Sequence, residues 1–269
     1  MRLSCASWSF PECNLPEIVD ILAALGIDAV DLGIDYRSGI DRALILNNPS
    51  KTGEKLHILG ADFPCFHYRF APTLDGRNIA DPSWREQNIA DFSKVIDFCK
   101  AAWVPIIFIL PGMINAGQTV SSSLDEAIKT LNLLMPIAQE AGIILAVEPH
   151  VRSNIENPEL ALSMLEQVPG LKLMLDYSNI ICLGYRQNEI DILAPHAAHV
   201  QLRQAKPGLV QTKLHHGTIN FPALLGTLRD VGYEGYIGLK HTHQGYMNNM
   251  NDDVLTEIIQ MRNLVRAYT

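Results

Sequence analysis

Eight short apolar runs alternate with eight stretches of helical pattern along these 269 residues, and that alternation limits the folds open to the chain. Strands separated by helices pair in parallel, with each helix carrying the chain back across the sheet. The runs cover residues 3–9, 29–34, 61–67, 104–110, 142–148, 171–176, 199–203 and 236–240. Between and after them the pattern predicts helices over 14–25, 49–59, 82–102, 123–141, 157–169, 188–193, 221–231 and 252–267. Several of these segments carry end signals: Asn14 and Asn157 as caps, Pro16 in a first turn, Gly26 and Gly60 as stops. No repeat and no linker rich in Gly, Pro or Ser divides the chain. Eight such units in this length match a closed (β/α)8 TIM barrel, an α/β fold with residues 1–269 as a single domain. An open doubly wound sheet is the alternative, but its G-x-G-x-x-G phosphate turn is missing.

The formal net charge of −8, with no Lys/Arg cluster, argues against gripping a phosphate backbone, so nucleic acid is not an expected partner. Cys5, Cys13, Cys65, Cys99 and Cys182 are scattered and without metal-type spacing; they read as reduced thiols of a cytoplasmic protein. Met1-Arg2 leads straight into strand and helix without a signal-peptide pattern. No apolar run approaches the length of a membrane span, so no membrane partner is expected. A homo-oligomer stays open.

The functional signal lies where the apolar runs end. Gly142-Ile-Ile-Leu-Ala-Val-Glu-Pro-His150 opens on a glycine, runs through a strand buried on both faces, and ends on a carboxylate. Pro149 holds Glu148 extended. Burying a carboxylate there is costly unless a cation, hydrogen bonds or a proton compensates it. Strands six to eight end in the same manner, on Asp176, Gln201 and Lys240. In a (β/α)8 barrel these ends meet at the C-terminal face, where the chemistry of such barrels sits. Three oxygen donors, Glu148, Asp176 and Gln201, are a fitting set for a hard or borderline divalent cation.

The fragments Val-Glu148-Pro, Leu-Asp176-Tyr-Ser, His199-Val-Gln201-Leu-Arg, Gly217-Thr-Ile-Asn-Phe221 and Gly232-Tyr-Glu-Gly-Tyr-Ile-Gly-Leu-Lys240 carry a resemblance in their order and spacing. The whole chain resembles the xylose isomerase-like TIM barrels, the sugar phosphate isomerases and epimerases related to tagatose 3-epimerase, hydroxypyruvate isomerase and endonuclease IV. The resemblance implies a divalent metal (Mn, Mg or Zn) held by Glu, Asp, His and Glu at the ends of strands five to eight. It also implies that the two glutamates move a proton beside the substrate carbonyl. Glu148 and Asp176 match that set; Gln201 stands where His is usual, as in hydroxypyruvate-isomerase-like members. Lys240 stands where the second glutamate belongs, and Asn179 where a histidine often lies.

Lysine for glutamate changes the chemistry. A 2+ ion with three carboxylates sums to −1, and so do two carboxylates with one ammonium and no metal. Lys240 therefore fits as a built-in cation standing in for the ion, and like charges disfavour both together. The opposing reading turns the ammonium out to solvent and keeps a three-ligand metal site. Glu148 and Lys240 are the expected catalytic pair, as general acid/base and electrostatic stabiliser. Trp8, His67, His150, Arg203, Lys206 and His243 are the expected substrate contacts, with arginine the better clamp for a carboxylate or phosphate. The expected substrate is a small carbohydrate, and the expected reaction is isomerisation or epimerisation beside a carbonyl. A lyase or decarboxylase of a 3-oxo sugar acid is the alternative, as is a non-catalytic sugar-binding barrel with a degenerate metal site. A DNA-repair role needs a histidine-rich multi-metal site and a basic groove, and the sequence has neither.

Overall fold

The computed structural model describes residues 1–34, 37–243, 245, 247 and 253–268. Eight parallel strands are present: β1 (Arg2–Ala6), β2 (Val30–Asp31), β3 (Phe66–His67), β4 (Ile106–Ile109), β5 (Ile144–Val147), β6 (Lys172–Leu175), β7 (Ala197–Leu202) and β8 (Tyr236–Leu239). They pair in the order β2-β1-β8-β7-β6-β5-β4-β3. The two ends of that order meet, because Leu32 donates to the Cys65 carbonyl and His67 donates back to the Leu32 carbonyl. The expected TIM barrel is therefore the fold found.

The strands are shorter than the apolar runs that announce them. β2 and β3 keep only two residues each of regular ladder. In β5 and β6 the first residue is exposed and the other three are buried, which is why these runs read as continuously apolar. Cys65, Phe108, Ala146 and Met174, with Ala6 and Trp8, form a small cluster of their own that fills the barrel interior. The large core lies between strands and helices.

The helices are α1 (Leu15–Ala24), α2 (Arg42–Asn47), α3 (Pro49–Glu54), α4 (Arg85–Ala101), α5 (Val120–Glu140), α6 (Pro158–Gln167), α7 (Tyr177–Ile181), α8 (Gln187–Ile190), α9 (Phe221–Asp230) and α10 (Val254–Tyr268). Asn14 and Glu17 close a capping box at α1, and Asn157 accepts from the Leu160 amide at α6, as their sequence signals predict. α5 starts earlier than expected, because Thr119 and Ser122 cap each other. α2 and α7 were not expected; each begins at an aspartate, Asp41 or Asp176, that accepts an amide of its first turn. The predicted start of the last helix, Asp252, lies outside the described residues.

Candidate active site

Side chains alternate along a strand, so a residue two places beyond an inward-facing one also faces inward. Ala146 and Met174 line the interior, and that places Glu148 and Asp176 at its C-terminal end. Glu148 is 2% exposed. Its Oε1 accepts from Asn179 Nδ2 at 3.0 Å and from Lys240 Nζ at 3.3 Å. Asp176 divides its oxygens between two tasks. Oδ1 accepts from the Ser178 amide at 3.0 Å and the Ser178 hydroxyl at 2.6 Å, which caps α7. Oδ2 faces Lys240 Nζ and Arg203 Nε, both at 3.1 Å. Arg203 also donates to Ser178 Oγ at 2.6 Å and to Asn179 Oδ1 at 3.3 Å.

Lys240 therefore bridges the two carboxylates, 6.0 Å from the centroid of the Trp8 ring. Its ammonium is turned inward and buried, not out to solvent. Burial alone raises the Asp176 carboxyl pKa, but the charges of Arg203 and Lys240 and the Ser178 hydrogen bond outweigh it and hold it lowered, to about 2. Two carboxylates and two cations sum to zero in this buried group, so each charge has a partner.

Gln201 does not join them. Its Nε2 donates to Asp31 Oδ2 at 2.9 Å, and His199 Nε2 meets the same oxygen at 2.8 Å. Gln201, expected as a metal ligand beside Glu148 and Asp176, therefore has its amide nitrogen engaged on Asp31 instead. The reason is supply and demand for donors: Glu148 and Asp176 are served by Lys240, Arg203 and Asn179, while Asp31 is fully buried and needs donors of its own. Burial raises the Asp31 pKa, but His199 beside it and the surrounding hydrogen bonds leave it lowered. Cys65 completes this inner group: Asp31, Cys65 and His199 each offer one ligand atom, and all three atoms lie within 4.8 Å of one another. Room for them comes from Gly238 on β8, where a Cβ would stand 2.3 Å from Asp31 Oδ2.

Of the expected substrate contacts, Trp8, His67, His150 and Arg203 gather around Lys240. His67 stacks on Phe108 with ring centroids 4.6 Å apart and meets Trp8 edge-on at 5.5 Å. Its pKa is pushed well down, by burial first and then by Arg69, Lys240 and His150. His150, with Nδ1 2.6 Å from the Val151 carbonyl, is lowered by burial, with Lys240 and Arg203 adding to the effect and Glu148 opposing it. Both shifts favour the neutral imidazole. Lys206 sits apart, in a tight turn closed by two backbone hydrogen bonds with Leu209. His243 is half-exposed in the segment after β8. Asp31, Cys65 and His199 escaped the sequence reading as a group; the available signal was a carboxylate in the middle of the second apolar run.

The divalent ion expected between Glu148 and Asp176 does not fit these residues. Lys240 Nζ lies between their oxygens, where an ion bridging them would have to sit, and Gln201 is turned elsewhere. Among the described residues, Asp31, Cys65 and His199 are the group of such side chains whose ligand atoms lie close enough together to share one ion.

Comparison with known proteins places the chain in a family. Residues 19–263 match the family described as "Xylose isomerase-like TIM barrel". The human protein named "Putative hydroxypyruvate isomerase" is 27% identical, covering 89% of this chain and 88% of its own. A Xenopus laevis protein of the same name is 26% identical, covering 91% of each. Among solved structures, the IolI protein with a bound zinc atom superposes with a TM-score of 0.78 at 15% identity, over 100% of this chain and 99% of its own. D-psicose 3-epimerase with D-tagatose from Clostridium cellulolyticum H10 gives 0.77 at 15% identity, again over 100% and 99%. At that identity the solved structures speak for the fold alone. No helix among the described residues is long and apolar enough to cross a membrane.

Proposed function

From the premise that the chain belongs to the xylose isomerase-like TIM-barrel family, we propose that it is an isomerase or epimerase moving a proton beside the carbonyl of a small sugar or sugar acid. Glu148 is the base in this reading, and Lys240 is the cation that meets the charge growing on the carbonyl oxygen. The observation that carries it is Lys240 Nζ set between Glu148 and Asp176. When Glu148 takes a proton from the substrate carbon, its own negative charge disappears and one appears on the enediolate oxygen. The ammonium changes partner while the charge of the group stays constant, so little of the surroundings has to reorganise. Asp176, held ionised by Arg203 and Lys240, keeps the ammonium aimed. Asn179 orients the Glu148 carboxylate. Returning the proton from Glu148 to the neighbouring carbon on the same face, while the hydroxyl proton passes from one enediol oxygen to the other, completes an isomerisation with one base.

Trp8, His67, His150 and Arg203 are the groups that would line the sugar, with Arg203 suited to a carboxylate or phosphate. A second reading rests on the same lysine. Cleaving a carbon–carbon bond beside a ketone, as in decarboxylation of a 3-oxo sugar acid, needs the enolate stabilised but no base on a second face. Product analysis separates the two: a shifted carbonyl or inverted centre marks proton transfer, carbon dioxide marks decarboxylation.

The test is a panel of small ketoses, aldoses and keto acids, with and without EDTA. On any substrate turned over, Glu148→Gln lowers kcat by roughly two to four orders of magnitude while circular dichroism stays that of the wild type. A near-normal rate in that variant moves the base elsewhere, His150 being first in line. Activity abolished by EDTA and restored by Mn2+ removes Lys240 from the role of resident cation.

A further inference from the structure

One layer of side chains deeper than Lys240, the barrel holds a group that the proposed reaction does not use. His199 precedes Gln201 and Arg203 by alternation on β7, and Gly238 precedes Lys240 on β8. We propose that Asp31, Cys65 and His199 form a second, fully enclosed site for a zinc-like divalent cation. This does not rest on the isomerase reading.

The donor set comes first. A carboxylate on β2, a thiol on the residue before β3 and an imidazole on β7 have their ligand atoms within 4.8 Å of one another, and all three residues are completely buried. Zinc takes such N, O and S donors at about 2.0–2.3 Å, so an ion among the three needs only modest adjustment, with the His199–Asp31 pair opening slightly. The 2.8 Å contact between His199 Nε2 and Asp31 Oδ2 holds a hydrogen bond, and the ion takes the place of its proton.

Charge supports the same conclusion. With Cys65 as thiolate, Asp31 ionised and His199 neutral, a 2+ ion brings the group to zero, the favourable sum for a site with no solvent contact. An independent observation is Gln201. Its amide nitrogen is bound to Asp31, which places the carboxamide at the group, yet its Oε1 is buried with no hydrogen-bond partner among the described residues. A buried acceptor of that kind is costly unless something electropositive faces it. Gly238 supplies space, since a Cβ there would stand 2.3 Å from Asp31 Oδ2 and 3.0 Å from His199 Nε2.

Because the site is enclosed, the ion enters during folding and exchanges only when the barrel opens. The test therefore refolds full-length protein from denaturant with Co2+ as the probe and removes free metal by gel filtration. The expected result is about one cobalt per chain, with a thiolate-to-cobalt charge-transfer band in the near ultraviolet. Cys65→Ser loses the band, His199→Gln loses the metal, and Glu148→Gln keeps both. Refolded wild type without cobalt overturns the proposal and leaves Asp31 and His199 as a plain buried ion pair. Cobalt bound without the thiolate band, or lost in Glu148→Gln, also overturns it by placing the metal at the upper carboxylates. Should either inner variant fail to fold, the wild-type stoichiometry and band still decide.

Discussion

Two buried polar groups share this barrel, and they solve the same problem in opposite ways. The outer one sets Glu148 and Asp176 against the ammonium of Lys240 and the guanidinium of Arg203. The inner one sets Asp31 against a histidine and an amide, neither of which is a permanent cation. Where the positive charge is covalently attached, an added ion has nowhere to go; where it is not, a proton or a metal has to provide it. Within a single interior, two neighbouring positions separate the outcomes, Gly238 on β8 beside the inner group and Lys240 just past its end in the outer one.

The strongest challenge to this contrast is Lys240→Glu. Three carboxylates then share the outer group with Arg203 alone, and in metal-free buffer the variant should unfold about 3–5 kcal/mol more easily than wild type in urea. Mn2+ should restore it in a concentration-dependent way, because an ion that binds only the folded state raises stability by mass action. Wild-type stability without metal in this variant would show that the lysine is not needed to balance the charges.

Gly238→Ala probes the inner group. Its methyl would press on Asp31 Oδ2 and His199 Nε2, and overpacking of this kind costs about 1–3 kcal/mol. A variant unfolding at the wild-type urea midpoint would mean that the inner group has slack to yield. The smallest effect concerns acid. The Asp176 pKa, at about 2, lies below its unfolded value. Its contribution is therefore present above about pH 4 and is lost as pH falls through the folded value, amounting to at most about 2 kcal/mol. Urea midpoints at pH 5 and pH 2.5 should differ less in Asp176→Asn than in wild type. Equal differences would assign the acid sensitivity to Asp31 instead.

The sequence disclosed the outer group well because Glu148, Asp176 and Lys240 each end an apolar run, and a polar residue in that position has to face the barrel mouth. It disclosed Gln201 only in part. Alternation along β7 tells which way Gln201 points but not which layer of the barrel it occupies, since that depends on the stagger between strands. Asp31 stayed hidden because its partner His199 lies 168 residues away and β2 keeps only two residues of ladder. Cys65 stayed hidden because metal-type spacing is a local signal, and this group is assembled from distant parts of the chain. The fold was far easier to read, since eight alternations constrain topology even where every boundary moves by a few residues. α2 and α7 are too short for any periodicity to show, and only their aspartate caps mark them.

The two oxygens of Asp176 tie a piece of backbone to the charges of the outer group. One is committed to the first turn of α7 and the other to Lys240 and Arg203, so the carboxylate cannot swing toward a ligand without unfastening Ser178. Ser178 is in turn grasped by Arg203, and the next residue, Asn179, holds Glu148. Five residues of helix thus hang from one carboxylate of the outer group. Whatever draws on Asp176 is felt at Glu148 through rigid linkage as well as through the electric field.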